Sequence, residues 1–236
     1  MAHIIPIMER LLEGSKPLVP MRVLSQKEGS LPNTASRGKR AISRRIWKEM
    51  RLHWLLAGLM VFTSNEIVKA EIVSTHLCEK EMSWASHKYN VPLPVLYAVG
   101  LTETGRKGSL QPYALNIEGP SYFAATLQEA LTRFSTARRT GAKLIDIGCM
   151  QINYYFHGRN FSSVEAMFDP HQNVDYAARF LRDLKAREGS WTLAAARYHA
   201  GPDNNAAQKR YVCSVITNMV ATGFGAWTMN ARNFCH

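Results

Sequence analysis

The chain of 236 residues is long enough to bury one substantial core or two small ones, and its hydrophobic content of 46% is ordinary for a globular protein. The net charge of +11 is uneven: residues 1–70 carry 12 Lys/Arg against 5 Asp/Glu, and residues 71–236 carry 17 against 13. The later part shows no cluster of basic residues of the kind that binds nucleic acid, so that class is excluded. Its mild positive charge suits an anionic polymer.

Residues 50–70 have the layout of a secretory signal peptide. Arg51 supplies a positive start, an apolar stretch follows over residues 54–62, and the segment ends in the small residue Ala70. About ten apolar residues fall short of the ~20 that span a bilayer, which disfavours a membrane anchor. We therefore predict export, to the periplasm or cell envelope, with cleavage after Ala70.

The residues before this signal peptide are unusual, because signal peptides rarely begin so far into a chain. Residues 1–49 are rich in Ser, Arg, Lys, Gly and Pro, a composition typical of disorder. We predict that they are disordered or a non-native extension, with Met50 as the true start. Residues 71–236 then form the mature protein.

All four cysteines fall in the predicted mature chain: Cys78, Cys149, Cys213 and Cys235. An even number in an exported protein permits two disulfides in any of three pairings. Of these we expect Cys78–Cys149 and Cys213–Cys235. No CxxC or Cys/His spacing indicates a zinc site.

The mature chain begins with two predicted helices. Residues 75–90 form the first, with Thr75 as a candidate N-cap. The second starts near Pro94, which is tolerated in a first turn, and runs to Thr104. Gly105 is then expected to close it in the left-handed conformation.

The remaining residues are mostly helical. Residues 112–125 favour a short β-hairpin around a Glu-Gly-Pro-Ser turn, and residues 144–153 are expected to form a tight irregular segment around Gly148. Helical patterns cover four further stretches, the first with a Thr126/Glu129 capping box: 126–141, 162–189 as two helices, 190–202 and 204–223. No strand–helix alternation is present, so we predict one mainly α domain.

Glu103 stands out in the second helix. Leu96, Val99 and Glu103 share one face, so the carboxylate extends an apolar stripe. It could be a structural carboxylate satisfied by neighbouring donors. It could instead be a general acid whose pKa is raised by apolar surroundings, able to protonate the departing oxygen of a glycosidic bond. The spacing alone leaves both interpretations open.

Three motifs follow one another along the chain: "ETG", "DIGCMQIN" and "AARYHAGP". Together they resemble the lytic transglycosylases, enzymes with a goose-lysozyme-like fold that cut peptidoglycan. The resemblance covers roughly residues 76–222; its Gly-x-Met-Gln-Ile-Asn match is specific, whereas Glu-Thr-Gly alone is weak. It implies a mainly α, α+β lysozyme-like fold: a single helical domain with a small β-hairpin and a glycan-binding groove.

The resemblance also implies roles for individual residues. Glu103 matches the family's sole catalytic acid/base. The remaining matches are to residues that bind the glycan: Met150, Gln151, Asn153, Tyr198 and Tyr211. Gln amides can hydrogen-bond acetamido and hydroxyl groups, and tyrosines offer sugars a flat face with a polar tip.

The chain departs from the family's pattern in three places and carries a longer segment before the Met-Gln motif. Thr104 stands where Ser is common, and Cys149 replaces Leu. His199 follows Tyr198 where Asn is usual; it is a candidate for sugar binding or for packing. Asn116, in the predicted hairpin of the longer segment, is a further candidate for sugar contact.

The implied chemistry needs one carboxylate and no metal or organic cofactor: cleavage of the bond between N-acetylmuramic acid and N-acetylglucosamine with formation of a 1,6-anhydro end. One alternative is a hydrolytic muramidase in which Asp146 or Glu118 places a water molecule. Another is a glycan-binding assembly factor of an envelope-spanning secretion, pilus or conjugation apparatus. In every case the expected partner is the peptidoglycan strand.

Overall fold

The computed structural model describes residues 7–13, 76–106 and 108–236. Within them, ten α-helices surround one small antiparallel sheet, which confirms the mainly α, lysozyme-like prediction. The helices are α1 (Ile7–Glu13), α2 (Leu77–Tyr89), α3 (Leu93–Thr104), α4 (Leu127–Arg139), α5 (Tyr154–His157), α6 (Val164–Phe168), α7 (Pro170–Glu188), α8 (Trp191–His199), α9 (Asn205–Ala221) and α10 (Met229–Cys235). The strands are β1 (Ala114–Ile117), β2 (Ser121–Phe123), β3 (Ile145–Ile147) and β4 (Ile152–Asn153). No helix in this described part is long and apolar enough to cross a membrane.

The core lies between five helices. α2 packs on α7, α3 packs on α9, and α8 contacts both α7 and α9. The apolar stripe predicted for α3 is buried, since Leu96 and Val99 are both fully excluded from solvent. α3 therefore carries its last turn, with Glu103, from the core to the edge of the molecule.

The start of α2 and the end of α3 differ in detail from the predictions. α2 begins after His76, which makes no side-chain cap bond, and Thr75 lies outside the described residues. Gly105 closes α3 with φ −58°, so it is not left-handed. A Cβ at this position would lie 2.3 Å from the carbonyl oxygen of Leu101. The glycine is needed because a side chain has no room, not because the backbone requires a positive φ.

The sheet has the strand order β2–β1–β3–β4, with every pair antiparallel. The β1–β2 hairpin was predicted, and its turn places Glu118 and Gly119 at positive φ. The prediction that residues 144–153 form an irregular segment is wrong, because β3 and β4 form there on either side of a tight turn. Strands of three and two residues are too short to show a recognisable alternation.

The link between β3 and β4, residues 147–151, is a tight turn held by one buried amide. Asn173, on α7, has no exposed surface. Its Nδ2 donates to the carbonyl oxygens of Ile147 at 2.9 Å and Met167 at 2.8 Å, and its Oδ1 accepts the Met150 N–H at 2.9 Å. Gly148 has φ +80°, and a Cβ there would lie 2.6 Å from that Nδ2. Only glycine satisfies both constraints.

Further bonds fix the 147–151 turn to the rest of the core. The Cys78–Cys149 disulfide ties it to α2, and the Thr104 hydroxyl at the end of α3 donates to the Cys149 carbonyl at 2.9 Å. A second disulfide joins Cys213 on α9 to Cys235 on α10, a helix that the sequence patterns did not predict. The expected pairing of the four cysteines is confirmed.

The short helix α1 packs at the start of α8. Met8 and Leu11 are buried, the Met8 N–H donates to the Thr192 hydroxyl at 3.0 Å, and the Glu9 carboxylate accepts from the Trp191 N–H and the Thr192 hydroxyl. These seven residues fall within the range predicted to be disordered or a non-native extension, and their apolar side chains pack on the core. The rest of residues 1–49 and the predicted signal peptide lie outside the described residues.

The Asn173 amide should be worth several kcal/mol of stability. Asn173→Leu leaves two carbonyls and one N–H without a partner in the interior, and each costs about 1–3 kcal/mol. We expect the free energy of unfolding, measured by denaturant titration, to fall by about 3 kcal/mol or more. Gln172→Leu, an exposed amide one position earlier on α7, should change it by less than about 0.5 kcal/mol. Similar losses in both variants would contradict this role.

Candidate active site

A pocket of about 250 Å³ opens where the end of α3 meets α8 and one face of α9. Its walls mix a carboxylate, a guanidinium, an imidazole, hydroxyls and a methyl group: Thr102, Glu103, His199, Ala207, Arg210, Tyr211 and Ser214. Three of the predicted site residues therefore meet in one place. They come from three helices that the core holds against one another.

Glu103 presents its carboxyl group to this pocket. Its Oε1 accepts a hydrogen bond of 2.6 Å from the Tyr211 hydroxyl, and its Oε2 has no hydrogen-bond partner among the described residues. Burial raises the pKa of Glu103 to about 8; the negative charge of Asp146 also raises it, and the Tyr211 bond opposes the rise. The pKa rises because a low-dielectric environment disfavours the charged form. At neutral pH the carboxyl group therefore holds its proton.

Tyr211 is held in place from its other side. The His199 ring lies parallel to the Tyr211 ring, with centroids 4.4 Å apart and an interplanar angle of 6°. Burial lowers the pKa of His199, and the positive charge of Arg210 lowers it further, so the imidazole is neutral at neutral pH. A stacked neutral ring fixes the tyrosine whose hydroxyl reaches Glu103.

Tyr198 lies near Glu103 but does not bond to it. Its hydroxyl donates to the Met150 carbonyl oxygen at 2.7 Å. The pKa of Tyr198 is raised well above its usual value by burial and then by the charge of Glu103. Tyr198 thus supports the 147–151 turn, while Tyr211 is the tyrosine that contacts the carboxyl group.

Gln151 occupies a strained position at the end of that turn. Its φ is +46°, and its Nε2 donates to the carbonyl oxygens of Gly148 at 3.1 Å and Ala114 at 3.4 Å. Its Oε1 has no partner within the part of the chain that the structure describes. The turn therefore orients an amide oxygen that can accept a hydrogen bond from a ligand N–H.

Three other residues predicted to contact glycan make contacts within the protein. The Met150 side chain is fully buried. Asn153 donates to Asp146 Oδ1 at 2.7 Å, and its own Oδ1 caps the start of α5. Asn116 closes the β1–β2 hairpin by donating to the Gly119 carbonyl at 2.7 Å and accepting its N–H at 2.9 Å. These side chains are used in building the turn and the sheet.

Five residues of the site or its support were not anticipated: Thr102, Ala207, Arg210, Ser214 and Asn173. Ala207 and Ser214 lie four residues before and three residues after Tyr211, and Arg210 lies four residues before Ser214, so helical spacing on α9 would have found them once that tyrosine was chosen. Asn173 precedes Ala177 by four residues and so continues the buried stripe of α7. The sequence signal for Asn173 was a polar residue on an otherwise apolar helix face.

The two acids of the hydrolytic alternative occupy different surroundings. Asp146 lies on β3, where it accepts the Asn153 bond, and burial raises its pKa. Its charge is felt at Glu103. Glu118 lies in the hairpin turn, its Oε1 accepts the Lys143 N–H at 3.0 Å, and it does not line the pocket.

Comparison with known proteins gives one match. The family model described as "Transglycosylase SLT domain" matches residues 82–219, more than half of the chain and all of the residues that line the pocket. No curated protein and no solved structure matches the chain. The chain therefore belongs to the transglycosylase SLT domain family and is a peptidoglycan lytic transglycosylase.

Proposed function

We propose that Glu103 is the single acid and base with which this enzyme cleaves the β-1,4 bond between N-acetylmuramic acid and N-acetylglucosamine. The observation that carries the proposal is the state of its carboxyl group. One oxygen is bound by Tyr211 and the other has no partner in the described part of the chain, while the pKa of about 8 keeps the proton on at neutral pH. A protonated carboxylic acid with a free oxygen facing a pocket is suited to general acid catalysis.

In the first step Glu103 Oε2 gives its proton to the oxygen that links the two sugars. The bond from that oxygen to C1 of the muramic residue breaks, and the N-acetylglucosamine side leaves as an alcohol. Glu103 becomes a carboxylate, which the Tyr211 hydroxyl stabilises through its 2.6 Å bond to Oε1.

In the second step the same carboxylate takes the proton of the C6 hydroxyl of the muramic residue. The C6 oxygen bonds to C1 and closes a 1,6-anhydro ring, and Glu103 regains its proton. No water is consumed. Because nucleophile and electrophile belong to one sugar, the enzyme's main task is to hold that sugar in the reactive geometry. The free Oε1 of Gln151 is suited to bind an acetamido N–H during both steps.

The hydrolytic alternative differs in the group that bonds to C1 of the muramic residue, which is a water molecule in place of the C6 hydroxyl. Asp146 is the acid that would place a water molecule, since it is close enough for its charge to raise the pKa of Glu103. Ordinary glycosidases use two carboxylates in this way. The products separate the two reactions: an anhydro fragment is lighter by one water and has no reducing end.

We further propose that the protein works in the periplasm, delivered there by the signal peptide at residues 50–70. A wall-cutting enzyme of this kind would open the polymer for a secretion, pilus or conjugation apparatus, or act in wall turnover. A glycan-binding role without catalysis is disfavoured by the intact carboxyl group at Glu103.

Glu103→Gln removes the transferable proton while keeping the side-chain shape. We expect the release of 1,6-anhydro fragments from purified peptidoglycan, measured by mass spectrometry, to fall at least ~100-fold. Glu118→Gln is the matched control, the same chemical change in the hairpin turn outside the pocket, and it should retain activity. Equal clearing by the wild type and Glu103→Gln would rule out the proposed acid. Fragments with reducing ends would favour the hydrolytic reaction instead.

Tyr211→Phe should move the alkaline limb of the pH–activity profile. The hydroxyl bond stabilises the charged form of Glu103 and holds its pKa down, so losing the bond raises that pKa further. The acid then stays protonated to higher pH, and the limb, near pH 8 in the wild type, shifts upward. The measurement is kcat/KM across neutral and alkaline pH. Tyr198→Phe, which loses a bond to Met150 instead, should leave the limb in place; a limb unmoved by Tyr211→Phe contradicts the assignment.

A further inference from the structure

The pocket beside Glu103 has a second charged group that the proposed chemistry does not use. Arg210, one turn of α9 after Ala207, is exposed and lines the same pocket as the carboxyl group. No carboxylate pairs with its guanidinium anywhere in the described residues. Its charge nevertheless acts inside the pocket, because it lowers the pKa of His199. The site therefore offers a cation without a counter-ion.

The side chains next to Arg210 along this wall supply no negative charge. The Ser214 hydroxyl donates to the Arg210 backbone carbonyl at 3.1 Å, and the Thr102 hydroxyl donates to the Ala98 carbonyl at 2.8 Å. Ala207 presents only a methyl group. The planar fork of the guanidinium matches a carboxylate in two parallel bonds.

The size of the pocket indicates what part of a substrate it receives. At about 250 Å³ it is smaller than the ~300–1,000 Å³ of sites that enclose a whole drug-sized ligand. A pocket of this size receives the part of a strand around the scissile bond rather than a long stretch of glycan. Next to that bond a peptidoglycan strand carries one acidic substituent: the lactyl group of the muramic residue, extended by a peptide stem with free carboxylates.

We propose that Arg210 binds a carboxylate of the peptide stem on the muramic residue held at Glu103, so that the enzyme selects glycan strands whose stems carry free carboxylates over strands whose stem carboxylates are amidated. The proposal rests on the proposed function, because it assumes that this muramic residue lies at Glu103. Arg210 acts in recognition, and the proton transfers remain with Glu103.

The test compares two substrates: peptidoglycan whose stem carboxylates are free and the same peptidoglycan with those carboxylates converted to amides. The measured quantity is the ratio of kcat/KM for the first to kcat/KM for the second, from the release of anhydro ends. Wild type should favour the strands with free carboxylates. Arg210→Gln should lower the ratio about tenfold, as expected for the loss of a charge-assisted hydrogen bond. Arg210→Lys, which keeps the charge without the fork, should give an intermediate ratio.

Lys209→Gln is the matched control. Lys209 is the adjacent residue on α9, is also exposed, and places its Nζ 5.5 Å from the ring centre of Phe234 rather than in the pocket. The substitution removes the same charge from the same helix, so it tests for a general attraction between a basic protein and an acidic polymer. It should leave the ratio at the wild-type value.

Several outcomes would overturn the proposal: a wild-type ratio near one, an unchanged ratio in Arg210→Gln, or equal reductions in Arg210→Gln and Lys209→Gln. Failure of the proposed function looks different. In that case the wild type yields no anhydro ends from either substrate, or Glu103→Gln yields as many as the wild type.

Discussion

The buried amide of Asn173 is the constraint on which the site depends. Two of its three hydrogen bonds fix a turn between two very short strands that have little stability of their own, and the third joins that turn to Met167 on α6. From that turn, the Cys149 carbonyl receives Thr104, the Met150 carbonyl receives Tyr198, and Gln151 presents its amide. In the low-dielectric interior a fully satisfied polar network of this kind is rigid and specifies one arrangement. Helices distant in the chain are thereby brought into a fixed relation.

The same burial that makes this network rigid also sets the chemistry of Glu103. Its carboxyl group sits at the end of an apolar helix face, where desolvation favours the protonated form, and a single tyrosine bond limits that effect. A stronger set of donors would stabilise the carboxylate and leave no proton to transfer. A fully apolar wall would hold the proton too tightly for Glu103 to give it to a linking oxygen. The observed pairing with Tyr211 lies between these limits.

Much of this arrangement was predictable from local rules, and the rest was not. Helix limits followed from caps and periodicity, as at Gly189, which closes α7 in the left-handed conformation. The face on which Glu103 lies followed from spacing. The sequence does not decide features that depend on distant parts of the chain. Whether Tyr198 or Tyr211 reaches the carboxyl group, and whether Met150 points inward or outward, is decided by how α8 and α9 pack against the turn.

The covalent tether between Cys78 and Cys149 makes this geometry sensitive to redox conditions. Disulfides persist in oxidising compartments outside the cytoplasm and are kept reduced within it. A newly synthesised chain in a reducing compartment therefore lacks one of the ties on the 147–151 turn. The enzyme acquires its full set of constraints only where thiols are oxidised, which separates the place where it is made from the place where it can damage a wall.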